Sequence, residues 1–214
     1  ITRDCDVIFL GVKPQTMAQM LLPLQPILTG RRTPFVLVSM AAGVTIEALQ
    51  DMAGGRYPVV RIMPNTACAV GAGMTTYTCS AEVTDRQRQA VLDALAASGL
   101  LEEIEEGLMG AASAVAGCGG AYACLFLEGL ADGGVLCGLP RKKAQRMAAQ
   151  MLLGMATQAL ESDEHTGALK DAVCSPAGST IAGIRKLESM SFRSAAMEAV
   201  IAAWEREREM QQQK

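Results

Sequence analysis

The most informative segment of this sequence is His165-Thr-Gly-Ala-Leu-Lys-Asp-Ala-Val-Cys-Ser-Pro-Ala-Gly-Ser-Thr-Ile181. Pro176 and Gly178 interrupt any helix through its middle, so the segment predicts a loop that leads into a helix. Ser179 or Thr180 is expected to cap that helix, because a hydroxyl oxygen there accepts a free backbone N–H. Hydroxyls and unpaired N–H groups at one helix start can bind a small carboxylate. An ordinary capped helix that binds no ligand has the same residue spacing and is more common.

The same segment closely resembles the signature of the pyrroline-5-carboxylate reductase family, which reads roughly His-Pro-Gly-x-Leu-Lys-Asp-x-Val-x-Ser-Pro-Gly-Gly-x-Thr-Ile. The similarity extends over essentially all 214 residues. The resemblance implies a Rossmann-like α/β parallel-sheet domain followed by an all-α dimerisation domain. It also implies an oxidoreductase of proline biosynthesis that reduces 1-pyrroline-5-carboxylate to L-proline, with NADPH as the expected cofactor and NADH as the alternative.

Composition narrows the classes of function. Half of the residues are hydrophobic and the net charge is −3 with both signs interspersed, so no basic stripe indicates nucleic acid or an anionic membrane as a partner. The seven cysteines form an odd set without a C-x-x-C pair, which indicates reduced thiols in a cytoplasm. A single histidine excludes a His-based metal cluster, and no metal site is predicted.

An uncharged run from Leu108 to Leu127 is long enough to span a membrane. Its content is mostly Gly, Ala, Ser and Cys, which drive membrane insertion weakly, so a helix in a protein interface is the preferred interpretation. The charged start, Ile1-Thr-Arg-Asp4, argues against a signal peptide.

Strand-like and helix-like segments alternate through the first half of the chain, which predicts a parallel α/β sheet. The predicted strands are residues 6–12, 35–40, 58–63, 73–78 and 100–104. A short helix is expected after a Thr45 cap, and an amphipathic helix is expected over residues 84–98.

Ligands of such sheets bind beyond the carboxyl ends of the strands. Small residues follow the first three predicted strands and let a flat cofactor approach the backbone, although ordinary turns have the same composition. The resemblance implies that these segments line the NADPH site. The cofactor-binding residues expected on that basis are Gly11, Val12, Lys13, Pro14, Met40, Ala41, Ala42 and Asn65.

No G-x-G-x-x-G follows a strand in this sequence, and the residue that would distinguish NAD from NADP is not located. The resemblance places the glycine-rich loop and this selecting residue ahead of Ile1. The first βαβ portion is therefore expected to be missing, and this chain is expected to lack the loop that binds the cofactor pyrophosphate. The expected domains are residues 1–107, the later part of the dinucleotide-binding domain, and residues 108–214, for dimerisation and substrate binding.

The second half has a helical pattern. Residues 110–136 predict one long helix or a broken pair, another helix starts near Leu139, and a last one covers residues 194–210. The charged end of that last helix, residues 205–209, is expected to be solvated. By the resemblance Ser113 stands near the nicotinamide, where its hydroxyl donates to the imine or to a water; a bond back to its own helical turn is the alternative.

The chemistry implied by the resemblance needs little from side chains, because a protonated cyclic imine is already electrophilic and mainly has to be positioned. The substrate-binding residues implied are Ser175, Ser179, Thr180, Ala172 and Gly178. The hydroxyls and the helix start would hold the carboxylate and present the imine carbon to the nicotinamide. Ala172 replaces an Asn that is common in the family, which removes one contact.

Two other functions stay open from the sequence alone. One is a catalytically silent helical dimerisation module of the same fold. The other is a related β-hydroxyacid-type dehydrogenase, against which the lack of a Lys-x-x-Asn helix speaks. In each case the apolar helical half is expected to self-associate as a dimer or a ring of dimers, because so small a domain cannot bury that surface alone.

Overall fold

A computed structural model describes residues 1–212. The chain packs as two compact units. The first consists of residues 1–120 together with the residues from Val200 onward, and the second of residues 121–199. The predicted boundary between residues 107 and 108 stays a prediction about domains.

The first unit is built on a five-stranded sheet with the order β1-β2-β3-β4-β5. The strands are β1 (Val7–Leu10), β2 (Val36–Ser39), β3 (Val59–Pro64), β4 (Gly73–Cys79) and β5 (Gly99–Glu103). The first three strands run parallel, and β4 and β5 run parallel to each other. This mostly parallel α/β sheet confirms the predicted fold class.

The direction of two strands was predicted wrongly, because β4 pairs antiparallel with β3 and β5 runs parallel to β4. The connection over residues 65–72 contains only a short 3₁₀ segment, Thr66–Val70. A parallel pair needs a crossover of a dozen or more residues, so a link this short returns the chain in the opposite direction.

Helices cover both faces of the sheet. On one face lie α1 (Met17–Leu21), α2 (Gln25–Thr29) and α3 (Ile46–Ala53), and on the other lies α4 (Asp85–Leu95). The predicted cap is confirmed, since the Thr45 side chain accepts a hydrogen bond from the Ala48 N–H. Thr84 and Gln87 form a reciprocal capping box at the start of α4. Burial on both faces explains why β2, which is buried along its whole length, is almost continuously apolar.

After β5 the chain is helical, and the predicted long segment is broken. It consists of α5 (Met109–Ala112), a π-helical turn (Ser113–Gly117) and α6 (Gly119–Leu136). A helical stretch within residues 106–136 is long and apolar enough to cross a membrane by length and composition, with a mean hydropathy of 1.5. Only 6% of its apolar window is buried within this chain, so this surface needs a further covering.

The remaining helices are α7 (Arg141–Glu161), α8 (Thr166–Ala172), α9 (Ser179–Ser189) and α10 (Phe192–Gln212). Within the second unit the Tyr122 hydroxyl donates to the Ala199 carbonyl over 3.1 Å, and Phe126 packs on Phe192. Few side chains of this unit are buried, and many large apolar ones are exposed. The exposed residues on α6 and α7 include Leu125, Leu136, Met147, Met151, Leu153 and Leu160.

Candidate functional site

The carboxyl ends of three parallel strands meet at one edge of the sheet. Leu10 of β1 pairs with Ser39 of β2, and Ser39 pairs with Arg61 of β3. The segments 11–14 and 40–42 therefore leave neighbouring strands side by side. This is the edge at which α/β sheets bind their ligands.

The first of these segments, residues 11–14, has free space next to its backbone at Gly11. A Cβ placed on Gly11 would meet no atom within 4 Å, so a ligand can approach its bare backbone. Lys13 is exposed next to it, while Val12 packs partly against the core below. Pro14 begins a 3₁₀ turn, where its missing N–H costs no hydrogen bond. The segment combines accessible backbone with one cation, which fits a phosphate-bearing cofactor.

The second of these segments, residues 40–42, is partly buried in the core. Met40 and Ala42 are exposed, but Ala41 between them is buried. The Ala41 N–H donates to the Ser39 hydroxyl over 3.3 Å, which holds the turn against the end of β2. Met40 and Ala42 are therefore the parts of this segment that a cofactor can reach.

Asn65 ties the end of β3 to the π-helical turn. Its Oδ1 accepts from the Met74 N–H over 3.2 Å, and its Nδ2 donates to the Ala116 carbonyl over 3.0 Å. Both polar ends of the side chain are thus satisfied by backbone groups. Asn65 and Ser113 were predicted separately as site residues. The structure brings them together, because Asn65 bonds to Ala116 and Ala116 lies in the same turn as Ser113.

Ser113 opens the π-helical turn and is half-buried. Its carbonyl accepts from the Cys118 N–H over 2.9 Å, an i to i+5 bond that widens the helix. A Cβ on Gly117 would lie 3.3 Å from the Ser113 hydroxyl oxygen, so glycine leaves room for that hydroxyl. The π-helical turn, which the sequence pattern did not predict, sets where the hydroxyl lies.

The sequence pattern did not predict two buried charges in the first unit, Arg61 and Glu207. Arg61, on β3, is 3% exposed and pairs with Glu106 over 3.2 Å. The same Glu106 oxygen accepts from the Ile46 N–H over 2.7 Å. Glu207, on α10, is 7% exposed, so the prediction of a wholly solvated charged end is wrong at this residue. An apolar run before a charged block gives no signal that one of those charges faces inward.

The candidate carboxylate-binding loop lies in the second unit. Ala177 has a left-handed backbone, with φ of 55°, and the Gly178 N–H donates to the Ser175 carbonyl over 3.0 Å. A Cβ on Gly178 would collide with the Ser175 hydroxyl oxygen, so a larger residue there would displace that hydroxyl. The turn thereby points the Ser175 side chain towards the start of α9.

The predicted hydroxyl cap of α9 is wrong. Gly178 is the N-cap, and no side chain caps the helix. Ser179 and Thr180 are already the first and second helical residues, and capping requires the residue before them. Their hydroxyls, like that of Ser175, are exposed and make no hydrogen bond within the described part of the chain. Free hydroxyls and free N–H groups at one helix start can bind a carboxylate.

The neighbouring α8 has its own internal contacts. His165 caps it, with Nδ1 accepting from the Gly167 N–H over 3.0 Å. Lys170 pairs with Asp171 over 2.7 Å, and the hydrogen bond and charge of Asp171 raise the pKa of Lys170. Ala172 ends the helix with an exposed methyl group and supplies no polar contact.

Residues 106–210 match the family described as pyrroline-5-carboxylate reductase dimerisation. The chain is 43% identical over 205 residues to pyrroline-5-carboxylate reductase of Synechocystis, covering 96% of this chain and 75% of that protein. Its identity to the Escherichia coli enzyme of the same name is 40%, covering 96% of this chain and 76% of the other.

Solved structures give the same result. The crystal structure of Plasmodium falciparum pyrroline carboxylate reductase with NADP bound matches with a TM-score of 0.88 and 36% identity. The match covers 98% of this chain and 79% of that one. A Coxiella burnetii pyrroline-5-carboxylate reductase matches with a TM-score of 0.90 and 32% identity, covering 97% and 77% of the two chains.

Proposed function

Because this chain belongs to the pyrroline-5-carboxylate reductase family of NAD(P)H-dependent oxidoreductases, we propose that it reduces 1-pyrroline-5-carboxylate to L-proline with the residues described above. The observation that carries the proposal is the start of α9. Among the described residues, three exposed hydroxyls without a hydrogen bond lie in or just before the first turn of that helix, where backbone N–H groups are free, in the segment that resembles the family signature. An exposed anion-binding site of that kind suits the single carboxylate of the substrate.

The hydroxyls of Ser175, Ser179 and Thr180 are the proposed carboxylate ligands. Gly178 shapes the turn that holds Ser175 near the helix start, and Ala172 adds only van der Waals contact. The helix dipole favours the bound anion, and each hydrogen bond to the charged group contributes about 1.5–3 kcal/mol. Anchoring the ring by its carboxylate fixes the direction in which its imine carbon faces.

Gly11, Lys13, Met40 and Ala42 are the proposed contacts for NADPH, with NADH as the alternative reductant. Val12, Pro14, Ala41 and Asn65 support these contacts from below, by packing or through backbone hydrogen bonds. When bound, NADPH supplies the hydride that is added to the imine carbon, and the π pair of the C=N bond moves to nitrogen. Lys13 offers its charge to a phosphate, and Gly11 offers close backbone approach.

Ser113 is the proposed catalytic contact to the imine nitrogen. Its hydroxyl is held at the π-helical turn, beside the sheet edge to which Asn65 ties that turn. The protonated imine enters the reaction as a cation with one N–H, and the hydride neutralises it to a secondary amine. A polar group at that nitrogen orients the ring without having to supply a proton for the hydride step.

The direct test follows NADPH oxidation in the presence of pyrroline-5-carboxylate and measures the L-proline formed. One proline per NADPH is expected, with no oxidation when the substrate is omitted. Binding of NADPH without turnover would instead identify a silent dimerisation module. Turnover of a β-hydroxyacid but not of the imine would assign the chain to the alternative dehydrogenase chemistry.

We propose that the protein works in the cytoplasm as a dimer or a ring of dimers. The matched dimerisation family and the exposed apolar faces of α6 and α7 support self-association. The predicted division into residues 1–107 and 108–214 fits this proposal, because the family match begins at residue 106.

A further inference from the structure

The turn that carries the exposed residue Ala42 runs from the end of β2 to the start of α3. At the β2 end, the Ala41 N–H donates to the Ser39 hydroxyl over 3.3 Å. Further along, the Val44 N–H donates to the Ala41 carbonyl over 3.4 Å, and the side chains of Ala41 and Val44 are both buried. The position of Ala42 therefore depends on how the two ends of this turn are held.

At the α3 end, the turn is held by a side chain from a distant part of the sequence. Ile46 is the first residue of α3, and its N–H donates to Glu106 Oε1 over 2.7 Å. The Thr45 hydroxyl caps the same helix at the Ala48 N–H, so the two acceptors serve different N–H groups. The helix dipole also favours a carboxylate at this end of a helix. Glu106 is therefore a second, charged anchor for the end of the turn.

The Glu106 carboxylate is itself held by a buried cation. Arg61 of β3 is 3% exposed, and its Nη1 donates to the same Glu106 oxygen over 3.2 Å. Arg61 pairs with Ser39 in the sheet, so this cation belongs to the strand next to the one from which the turn leaves. Glu106 Oε1 thus bridges β3 and α3. Hydrogen bonds to a charged group are stronger than those between neutral groups, so the bridge favours one position of the helix start.

We propose that Glu106 is a positioning residue for the cofactor, which holds the Ile46 N–H and thereby keeps the turn over residues 40–45 in the conformation that binds NADPH. The inference rests on the proposed contacts of Met40 and Ala42 with NADPH. It goes beyond them because Glu106 acts through the backbone at the start of α3 and not on the cofactor itself. All of these groups belong to the first unit of the chain.

Two conservative variants separate the reach of the Glu106 side chain from its charge. In Glu106→Gln the amide oxygen can still accept from the Ile46 N–H, but the charge opposite Arg61 is lost. In Glu106→Asp the charge is kept, but a side chain shorter by one methylene group cannot stay within hydrogen-bond distance of both donors. If the bond to the turn decides cofactor binding, the Gln variant should bind NADPH almost as the wild type does, and the Asp variant should not.

Titration of NADPH fluorescence measures this binding without turnover. Glu106→Ala and Glu106→Asp should each raise the Kd for NADPH about tenfold, whereas Glu106→Gln should raise it about twofold or less. The matched control is Glu105→Ala, which removes the neighbouring exposed carboxylate and should leave the Kd unchanged. Equal affinities in all variants would overturn the inference, and so would a larger loss in the Gln variant than in the Asp variant.

Hydrogen exchange tests the turn directly, with no cofactor present. In Glu106→Ala the Val44 and Ile46 N–H groups should exchange at least about tenfold faster than in the wild type, at a temperature at which both proteins stay folded. In Glu106→Gln their exchange should stay close to that of the wild type. A Val44 N–H that exchanges equally fast in the Ala variant and the wild type would show that Glu106 does not hold the turn, and would overturn the inference.

Gln50→Ala separates positioning from a general loss of stability. The buried Gln50 side chain, in the second half of α3, donates to the Tyr57 carbonyl over 2.9 Å and to Glu82 over 3.0 Å. Its loss should lower the midpoint of thermal unfolding and leave the Kd for NADPH unchanged. A Kd that rises as much as in Glu106→Ala would overturn the inference. A wild type that binds no NADPH would overturn it together with the proposed cofactor contacts, whereas proline formation by the wild type would keep the proposed function even if the Glu106 variants bind normally.

Discussion

At the residue scale, Thr180 tests the carboxylate anchor. Thr180→Ala removes a hydroxyl at the start of α9 that makes no other hydrogen bond among the described residues. We expect the KM for pyrroline-5-carboxylate to rise about tenfold, the loss of one hydrogen bond to a charged group, with little change in the KM for NADPH. Steady-state kinetics with each substrate varied in turn measures both.

The matched control for Thr180→Ala is Ser189→Ala at the other end of the same helix. Among the described residues the Ser189 hydroxyl donates only to the Lys186 carbonyl, over 2.8 Å, so its loss should leave both KM values unchanged. A Thr180 variant in which the NADPH KM rises and the substrate KM does not would remove the carboxylate role.

Cys79, the last residue of β4, is predicted to be a slow nucleophile. Burial, and then the negative charge of Glu103, raise its pKa to about 11. At about pH 8 only about one Cys79 thiol in a thousand is the reactive thiolate, so alkylation should be at least tenfold slower than at exposed Cys5. Timed alkylation of the native protein and peptide mass spectrometry compare the two. Equal rates, before any unfolding, would contradict the assigned environment.

Some features of the candidate site could be predicted from neighbouring residues in the sequence, and others could not. The Ser175 to Thr180 loop was predictable because Pro, Gly and hydroxyl residues set turns and helix starts over a few positions. The burial of Arg61 and Glu207 was not, because the two residues come from distant parts of the chain and each looks solvated on its own. Burial of a charge depends on what packs against it, which a single sequence does not record.

At the element scale, the pairing of β4 with β5 depends on Gly99. This residue has a φ of 134° and lies opposite Gly73, and a Cβ there would collide with the Gly73 backbone. Gly99→Ala should therefore destabilise the protein by about 3 kcal/mol, from backbone strain and overpacking together. Gly107→Ala is the control, because a Cβ there meets no atom within 4 Å. Equal midpoints of thermal unfolding for the two variants would show that the strand ends are farther apart.

Most elements of the first unit were predicted, but two of their features were missed. Apolar runs marked the first three strands, the β-branched and aromatic residues of 73–78 marked the fourth, and Thr45 and Thr84 marked helix starts, since these signals are local. The antiparallel β3–β4 pair follows from the length of the connection between them, and the π-helical turn from its packing around Ser113 and Asn65. Strand direction and helix widening are properties of the assembled unit rather than of residue propensity.

At the scale of the whole molecule, the apolar faces of α6 and α7 predict how the chain associates. Burying the side chain of Leu125 or Leu153 in an interface would contribute about 1.5–3 kcal/mol of free energy for each leucine. Leu153 is 58% exposed within the chain, and Leu22, in the first unit, is 64% exposed and so forms a matched control.

We expect sedimentation of the wild type to show at least a dimer, and Leu153→Glu to raise its dissociation constant at least about a hundredfold, because an unpaired carboxylate would be buried in the interface. Leu22→Glu, which adds the same charge to a similarly exposed leucine, should sediment as the wild type does. A wild type that is monomeric at micromolar concentration would leave the exposed faces of α6 and α7 without the partner that their composition requires, and would contradict the proposed assembly.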